Sequence, residues 1–105
     1  MDATPDTHRA ALRIPATHPA LPGHFPGEPV VPGVLLLARV IAAAEQAFGI
    51  VPAALDFPQV KFLATLPPEE DACIELERRH DRIRFRIVHG ETVIAHGDLT
   101  TKDAT

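Results

Sequence analysis

The sequence predicts an α+β domain in which an antiparallel sheet curls around a single early helix. An almost uninterrupted apolar run over residues 34–44 predicts the helix. Further along, apolar and charged residues alternate over residues 74–77 and 83–87, a pattern typical of strands with one buried face. With 105 residues the chain can bury one core, so we expect a single domain over residues 1–105, of which residues 1–9 are flexible.

The first predicted strand covers residues 10–14 and leads into a segment rich in proline and glycine. Between Pro15 and Gly33 there are six prolines and three glycines, so neither a helix nor a sheet ladder can persist there. Apolar side chains lie between these prolines, unlike in a disordered linker. Long irregular segments inside compact domains are usually functional, which makes this loop the place to look for a site.

The predicted helix runs from Val34 to Phe48. Gly49 follows as a C-terminal cap, and Pro52 lies just beyond it, where helices commonly stop. The first two turns leave almost no polar face. We therefore expect this helix to be surrounded by other structure.

The remaining chain predicts strands, beginning with residues 57–63 after a turn at residues 53–56. A two-residue turn at residues 80–81 fixes the register of the next hairpin, because it gives one apolar face and one charged face. The predicted pairs are Leu76 with Phe85, Ile74 with Ile87, Glu77 with Arg84, and Glu75 with Arg86.

A second tight turn at residues 90–91 predicts that Ile87 lies beside Ile94 and Phe85 beside His96, with the last strand reaching residue 101. His96 would then point inward. A small domain with so apolar a helix and an open sheet edge is expected to dimerise.

The composition argues against several classes of partner. Ten Lys+Arg residues against fourteen Asp+Glu give a net charge of −4 without a basic stripe, so no nucleic acid is expected. The apolar run is too short to span a membrane. Cys73 cannot form an internal disulfide and the N-terminal residues do not resemble a signal peptide, so we expect a cytoplasmic protein. His80, His89 and His96 are too far apart in sequence to predict a metal site.

One motif carries a resemblance to a known family. Residues 23–37 read Gly-His-Phe-Pro-Gly-Glu-Pro-Val-Val-Pro-Gly-Val-Leu-Leu-Leu, which closely resembles the signature of hotdog-fold 3-hydroxyacyl-[acyl-carrier-protein] dehydratases. Val60-Lys61-Phe62 also looks like the strand that follows the helix in that family. The resemblance covers about residues 12–99 and is greatest to short dehydratase-like members of bacterial fatty-acid and aryl-polyene type pathways.

The resemblance implies a dimer whose substrate is an acyl chain on the phosphopantetheine of an acyl carrier protein, with no dissociable cofactor. His24 would take the α-proton of a 3-hydroxyacyl thioester. The amides of Gly33 and Val34, at the start of the helix, would hold the thioester oxygen as charge builds on it. The implied substrate-binding positions are Phe25, Pro26, Gly27, Leu37 and Ala38.

The sequence departs from the family at the proton donor. In the family a Glu or Asp lies fourteen positions after the loop histidine, and here that position is Ala38. Arg39 points about 100° around the helix, and Glu45 lies about 10 Å further along its axis. Glu28 and Asp56 are on predicted loops and could approach only through the tertiary structure.

Three functions remain open at this point. The first is a dehydratase that is weak or depends on a partner, since in these dimers the histidine of one subunit works opposite the acid of the other. The second is a non-catalytic acyl-binding subunit that pairs with an active dehydratase. The third is a hotdog thioesterase. Either a homodimer or a heterodimer is compatible with the sequence.

Overall fold

The computed structural model describes residues 6–18, 30–49, 55–80 and 82–101. Within these ranges one helix packs against a five-stranded antiparallel sheet of strand order β1-β3-β4-β5-β2, so the predicted α+β architecture is confirmed. The elements in chain order are β1 (Asp6–Leu12), α1 (Gly33–Phe48), β2 (Leu55–Phe62), β3 (Ala72–Arg79), β4 (Arg82–His89) and β5 (Thr92–Thr101).

Strand β1 begins earlier than the sequence predicts. Its pairing with β3 runs from Asp6 opposite Arg78 to Leu12 opposite Ala72, so the expectation that residues 6–9 are flexible is wrong. The side chains of residues 7–9 are exposed on this edge strand. Their polarity reflects that exposure, whereas the strand itself is held by backbone pairing that leaves no hydrophobic pattern in the sequence.

The β3–β4 hairpin has the predicted register. Leu76 lies opposite Phe85 and Ile74 opposite Ile87, and all four side chains are buried. The charged pairs are also as predicted, with Glu75 opposite Arg86 and Glu77 opposite Arg84. Because side chains alternate between the two faces of a strand, these charged residues define the outer face of the sheet.

The β4–β5 hairpin differs from its predicted register by one residue. Its turn is in the predicted place, since His89 pairs with Thr92, but the ladder shifts between Ile87 and Val88. Ile94 is the extra residue, only 1% exposed, and its carbonyl oxygen accepts hydrogen bonds from two amides that follow β2, at distances of 2.8 and 3.2 Å. A bulge of this kind moves every later side chain to the other face.

The shift places His96 on the outer face, opposite Arg86. The expectation that His96 points inward beside Phe85 is therefore wrong, and Gly97 lies opposite Phe85 instead. Ile87 lies opposite Ala95 rather than Ile94.

Helix α1 begins at Gly33 and ends at Phe48, close to its predicted bounds. Gly49 caps it in the left-handed conformation with φ 68°, and its N–H donates to the Glu45 carbonyl oxygen at 2.9 Å, as its sequence position predicts. One side of the helix packs into the core through four buried residues, namely Leu36, Val40, Ala43 and Ala44.

The other side of the helix is exposed. Val34, Ala38 and Ala42 lie four residues apart and form an open helix face, on which Val34 is 77% exposed. The expectation that other structure surrounds the first two turns is wrong for this face. No residue in the described ranges removes the Val34 side chain from water.

Strand β2 forms the edge of the sheet beside β5 and contains an irregularity. The register shifts between Asp56 and Gln59, around Pro58, which cannot donate a ladder hydrogen bond. Asp56 therefore lies within a strand and not on a loop as predicted. Inside the irregularity, the Phe57 ring meets the Phe85 ring edge to face at 5.9 Å.

Candidate functional site

The start of α1 presents two backbone donors. The helix follows Pro32 without a side-chain cap, and the first amides to bond within it are those of Leu35 and Leu36, which donate to the Pro32 carbonyl oxygen at 3.0 and 3.2 Å. Among the described residues, the amides of Gly33 and Val34 donate to no other group. Two N–H groups that no described residue engages, at the positive end of a helix dipole, suit a developing negative charge.

The ring of Phe62 lies against Gly33. A Cβ atom built on Gly33 would come within 2.8 Å of the ring's Cζ atom, so the contact depends on the absence of a side chain. Phe62 itself is 49% exposed, and Leu63 beside it is 56% exposed. The sequence predicts Phe62 only as part of a strand, because its contact with Gly33 joins two elements that are distant in sequence.

The position of the family's acid faces outward. Ala38 is exposed, one turn beyond Val34 on the open helix face, and the first turn of α1 contains no acidic residue. Glu45 is also exposed but lies almost two turns further on. Leu37 is half-buried against the core. The structure thus brings together Gly33, Val34 and Ala38 at one exposed end of the helix.

His24, Phe25, Pro26 and Gly27 lie outside the described residues, as does Glu28. The role of His24 as the base and the substrate-binding roles of the next three residues stay predictions.

The β2–β3 connection, residues 63–71, hydrogen-bonds to the chain on both sides of residues 19–29. On the far side, the Val31 N–H donates to the Leu66 carbonyl oxygen at 2.8 Å. On the near side, Glu69 bonds to residues 14 and 16 through its backbone and its side chain. Glu69 lies in an exposed turn, and these hydrogen bonds tie that turn to residues 14 and 16.

The Glu69 carboxylate is engaged at both oxygens. Oε2 accepts from the Ala16 N–H at 2.8 Å, and Oε1 accepts from the Arg13 guanidinium at 2.9 Å. The Ala16 hydrogen bond, and after it the Arg13 hydrogen bond, lower the pKa of Glu69 from its ordinary value. The hydrogen bond to Glu69 and the charge of Asp71 raise the pKa of Arg13.

A recess of about 1020 Å³ lies on the outer face of the sheet, opposite the helix. Its charges are largely paired with one another: Glu75 binds Arg9 at 3.3 Å and Arg86 at 2.7 Å. At one end, Asp98 lies 3.3 Å from Arg82 and 3.6 Å from Arg84. The recess is therefore a paired charged surface, remote from the helix start where Gly33 and Val34 present their amides.

No helix in the described ranges has the length and apolar character needed to cross a membrane.

The helix and the order of the strands define the hotdog fold, and solved structures share it. The dehydratase heterocomplex ApeI:P from Xenorhabdus doucetiae contains a chain that superposes with a TM-score of 0.73 at 20% identity, over 98% of this chain and 100% of that one. A variant of the fluoroacetyl-CoA-specific thioesterase FlK, in complex with fluoroacetate and CoA, superposes with a TM-score of 0.63 at 15% identity, over 92% of each chain. At these identities the likeness shows the fold alone.

The sequence comparisons identify the family. The family model of the ApeI-like dehydratases matches residues 1–98, so the chain belongs to that family. The chain is also 34% identical over 99 residues to the 3-hydroxyacyl-[acyl-carrier-protein] dehydratase FabZ of Thermus thermophilus, in each of two strains. This alignment covers 94% of the chain but only 61% of FabZ, so the chain is similar to part of those relatives. The resemblance stated from residues 23–37 is thereby confirmed.

Proposed function

We propose that this protein is one subunit of a 3-hydroxyacyl thioester dehydratase in fatty-acid-like biosynthesis. Its substrate is an acyl chain on the phosphopantetheine of an acyl carrier protein. Membership of the ApeI-like dehydratase family and 34% identity to FabZ support the reaction class. The observation that carries the proposal is the exposed end of α1, where two amides without a partner among the described residues adjoin an alanine at the family's acid position.

The residues divide the reaction between them. The neutral imidazole of His24 removes the α-proton, and the amides of Gly33 and Val34 hold the negative charge that develops on the thioester oxygen. The electron pair of the broken C–H bond forms the new double bond as the C–O bond at the β-carbon breaks. A proton from an acid completes the leaving hydroxyl, so the products are a 2-enoyl thioester and water.

The acid must come from outside this helix, and we propose that a second hotdog subunit supplies it. Two exposed apolar side chains lie at the helix start, Val34 at 77% and Phe62 at 49% exposure, and Leu63 next to Phe62 in sequence is 56% exposed. A partner that packs there would place its own residues beside Ala38. The ApeI:P dehydratase is itself a heterocomplex, which supports a mixed pair more than a homodimer.

A single substitution tests whether the site lacks only its acid. Ala38→Glu in the purified protein should raise the rate of dehydration of a 3-hydroxyacyl thioester by roughly 10² to 10⁴, the usual contribution of a positioned acid. Formation of the enoyl thioester is followed by its ultraviolet absorbance. Adding His24→Ala to the variant should remove the gain.

Ala42→Glu is the matched control. Ala42 lies one turn further along the same open helix face, so this variant adds the same charge away from the acid position. It should leave the rate unchanged. If Ala38→Glu folds and dimerises but dehydrates the substrate no faster than Ala42→Glu, the idea that the site lacks only its acid is wrong.

The alternative is a non-catalytic subunit that binds acyl groups and pairs with an active dehydratase. The ApeI:P dehydratase is a heterocomplex, which supports this alternative as well. The two roles differ in the complex isolated from the native cell. His24→Ala in this chain abolishes dehydration by the complex if the subunit is catalytic, and leaves it unchanged if the subunit only binds. Release of free thiol from an acyl thioester, measured in the same reactions, would instead indicate the hotdog thioesterase activity that ranks third.

We also propose that the protein works in the cytoplasm, because Cys73 is a free thiol and carrier-protein substrates are made there. Fractionation of the native cell, with the protein followed by antibody, tests this location.

A further inference from the structure

We infer that three side chains on the outer face of the sheet, Arg86, His96 and Lys61, bind the phosphate group of the phosphopantetheine arm. These three residues are called the cationic row below. The inference rests on the proposed function, because it takes the substrate to be a phosphopantetheine thioester. It deepens that function, since the helix start accounts for the thioester but not for the anionic end of the arm.

The register of the sheet builds the cationic row. Arg86 on β4 lies opposite His96 on β5, and His96 lies opposite Lys61 on β2. Side chains at such positions share one face, with Cβ atoms about 5 Å apart. The bulge at Ile94 is what brings His96 to this face. The row therefore runs out of the recess to β2, which is the last strand of the sheet.

The end of the row at the sheet edge has donors without acceptors. Neither His96 nor Lys61 has a carboxylate opposite it, and in the described ranges neither forms a hydrogen bond or an ion pair. Lys61 is exposed and His96 is half-buried. Arg86 gives its Nε and one terminal nitrogen to Glu75, at 2.9 and 2.7 Å, and keeps its other N–H groups.

Two carboxylates on the same face do not cancel this charge, because arginines already balance them. Glu75 binds Arg9 at 3.3 Å as well as Arg86. Asp98, two residues after His96 on β5, lies 3.3 Å from Arg82 and 3.6 Å from Arg84. The cationic row therefore stays net positive, although the whole chain has a net charge of −4.

The sheet contains one other place where like charges meet, and it differs. Arg79 and Arg82 lie opposite each other at the end of the β3–β4 hairpin. Each has a carboxylate, since Glu77 lies 3.8 Å from Arg79 and Asp98 lies 3.3 Å from Arg82. Like charges in register are unfavourable unless an anion lies between them. Lys61 and His96 have no such anion among the described residues, and a ligand would supply it.

A phosphate group fits these donors. It has several acceptor oxygens, which suit an ammonium, a guanidinium and a ring N–H that converge from three strands. Imidazole offers an N–H donor whether neutral or protonated. Among the groups of the proposed substrate, the phosphate of the arm is the one with this charge.

The row ends beside the helix start. Phe62 follows Lys61 on β2, and its ring lies against Gly33. Because successive side chains of a strand point to opposite faces, Lys61 and Phe62 mark the two faces of the same sheet edge. An arm whose phosphate is held at Lys61 reaches the amides of Gly33 and Val34 by passing over that edge.

The experiment compares two ligands that differ only in the phosphate, an acyl phosphopantetheine and the matching acyl pantetheine. Neither carries a β-hydroxyl group, so neither is dehydrated. Lys61→Met removes the ammonium, and Lys61→Arg keeps a cation. Arg79→Met is the matched control, because it removes one exposed cation from the same face, two ladder positions away from the row.

Calorimetric titration should show the phosphorylated ligand binding the wild-type protein about tenfold more tightly than the other. Lys61→Met should lose most of this preference, whereas Lys61→Arg and Arg79→Met should keep it. Raising the salt concentration from about 50 to 500 mM should weaken the preference in the wild type. The Cε1–H signal of His96 in NMR spectra should shift with the phosphorylated ligand alone.

Kinetics in the complex isolated from the native cell provide a separate readout. The KM for a 3-hydroxyacyl phosphopantetheine should rise about tenfold in Lys61→Met while kcat changes less, because the contact is the same in the ground state and the transition state. The Arg79→Met complex should have the KM of the wild type.

Each contrary result overturns a stated point. No preference for the phosphorylated ligand in the wild type, or an equal loss in Arg79→Met and Lys61→Met, overturns the site. Inorganic phosphate that shifts the His96 signal as strongly as the phosphorylated ligand, at equal concentration, overturns the arm as its ligand. If the native complex shows no dehydration, the proposed function fails, while the ligand preference and the His96 signal still decide whether the row binds the arm.

Discussion

The ring of Phe62 lies so close to Gly33 that a Cβ atom on Gly33 would come within 2.8 Å of its Cζ atom. This contact joins the last residue of β2 to the first residue of α1. A side chain on Gly33 would therefore have to displace the neighbouring ring, whereas the backbone angle of Gly33 is not unusual. The contact therefore ties the sheet edge to the helix start, where the amides that we propose as oxyanion donors lie.

Gly33→Ala should show this coupling. Alanine favours a helix by about 1 kcal/mol over glycine, but here the Phe62 ring must move to admit the methyl group. We expect the free energy of unfolding to rise by about 1 kcal/mol only when Phe62→Leu is also present, and to change much less in the otherwise wild-type chain. Urea unfolding of the two single variants and the double variant measures the coupling, which should be about 0.5 kcal/mol or more. If Gly33→Ala raised the free energy of unfolding equally with Phe and with Leu at position 62, the ring would not oppose a methyl group on residue 33.

Gly97 is a second position where a close approach excludes a side chain. A Cβ atom there would overlap the carbonyl oxygen of Gln59 and lie 3.0 Å from the Phe85 ring. Because the first of these is backbone, Gly97→Ala should force β2 and β5 apart and lower the free energy of unfolding by about 1–3 kcal/mol. Thermal unfolding should fall by several degrees.

Gly90→Asn is the control for Gly97→Ala. Gly90 has φ 61° in a turn with nothing within 4 Å of an added Cβ atom, and asparagine tolerates that conformation. A loss as large in Gly90→Asn as in Gly97→Ala would mean that crowding at Gln59 is not the cause.

Val34→Arg should weaken assembly. Val34 is 77% exposed at the helix end that we propose a partner covers, and an arginine there would bring a charge into an apolar contact. Sedimentation or light scattering should show the population shifting from dimer toward monomer, with the helical content unchanged. Thr92→Arg places the same charge on the exposed first residue of β5, and its assembly should match the wild type. A dimer unaffected by Val34→Arg would place the interface elsewhere.

The stability contributed by Glu69 should depend on pH in one direction. Its pKa is lowered in the folded protein, chiefly by the Ala16 N–H and then by Arg13, so its carboxylate stabilises the fold above the ordinary value of 4.5. That contribution is lost as the pH falls through the lower pKa of the folded state. The difference in unfolding free energy between wild type and Glu69→Gln should accordingly be constant from pH 7 to about pH 5 and shrink below it. Urea unfolding over a pH series measures the difference, and a gap that widens on acidification would contradict the assignment.

Much of the sheet could be predicted because its hairpins carry a strict alternation of residue types. The sequence predicts the pairing of Glu75 with Arg86 and of Ile74 with Ile87, because only one register places apolar residues on one face and opposite charges on the other. The β4–β5 register could not be predicted in the same way. Its bulge at Ile94 is stabilised by amides that follow β2, and nothing near His96 in the sequence signals it.

In the candidate site, likewise, some features could be predicted from the sequence and others could not. Ala38 could be identified by counting fourteen positions from His24, the spacing that the resemblance to the dehydratase family supplies. The Glu69 contacts with Ala16 and Arg13 join residues more than fifty positions apart, and an exposed turn of three acidic residues is usually only solvated. The Phe62 ring on Gly33 depends likewise on where a strand ends in space.

The exposure of Ala38 has an evolutionary consequence. A side chain on the open helix face contributes little to packing, so substitutions there should change stability by no more than about 0.5 kcal/mol. An acid at this position can then be lost or regained in a single mutation without endangering the fold. Two diverging gene copies could divide the work, one keeping the histidine and the other the carboxylate, while each stayed as stable as their common ancestor.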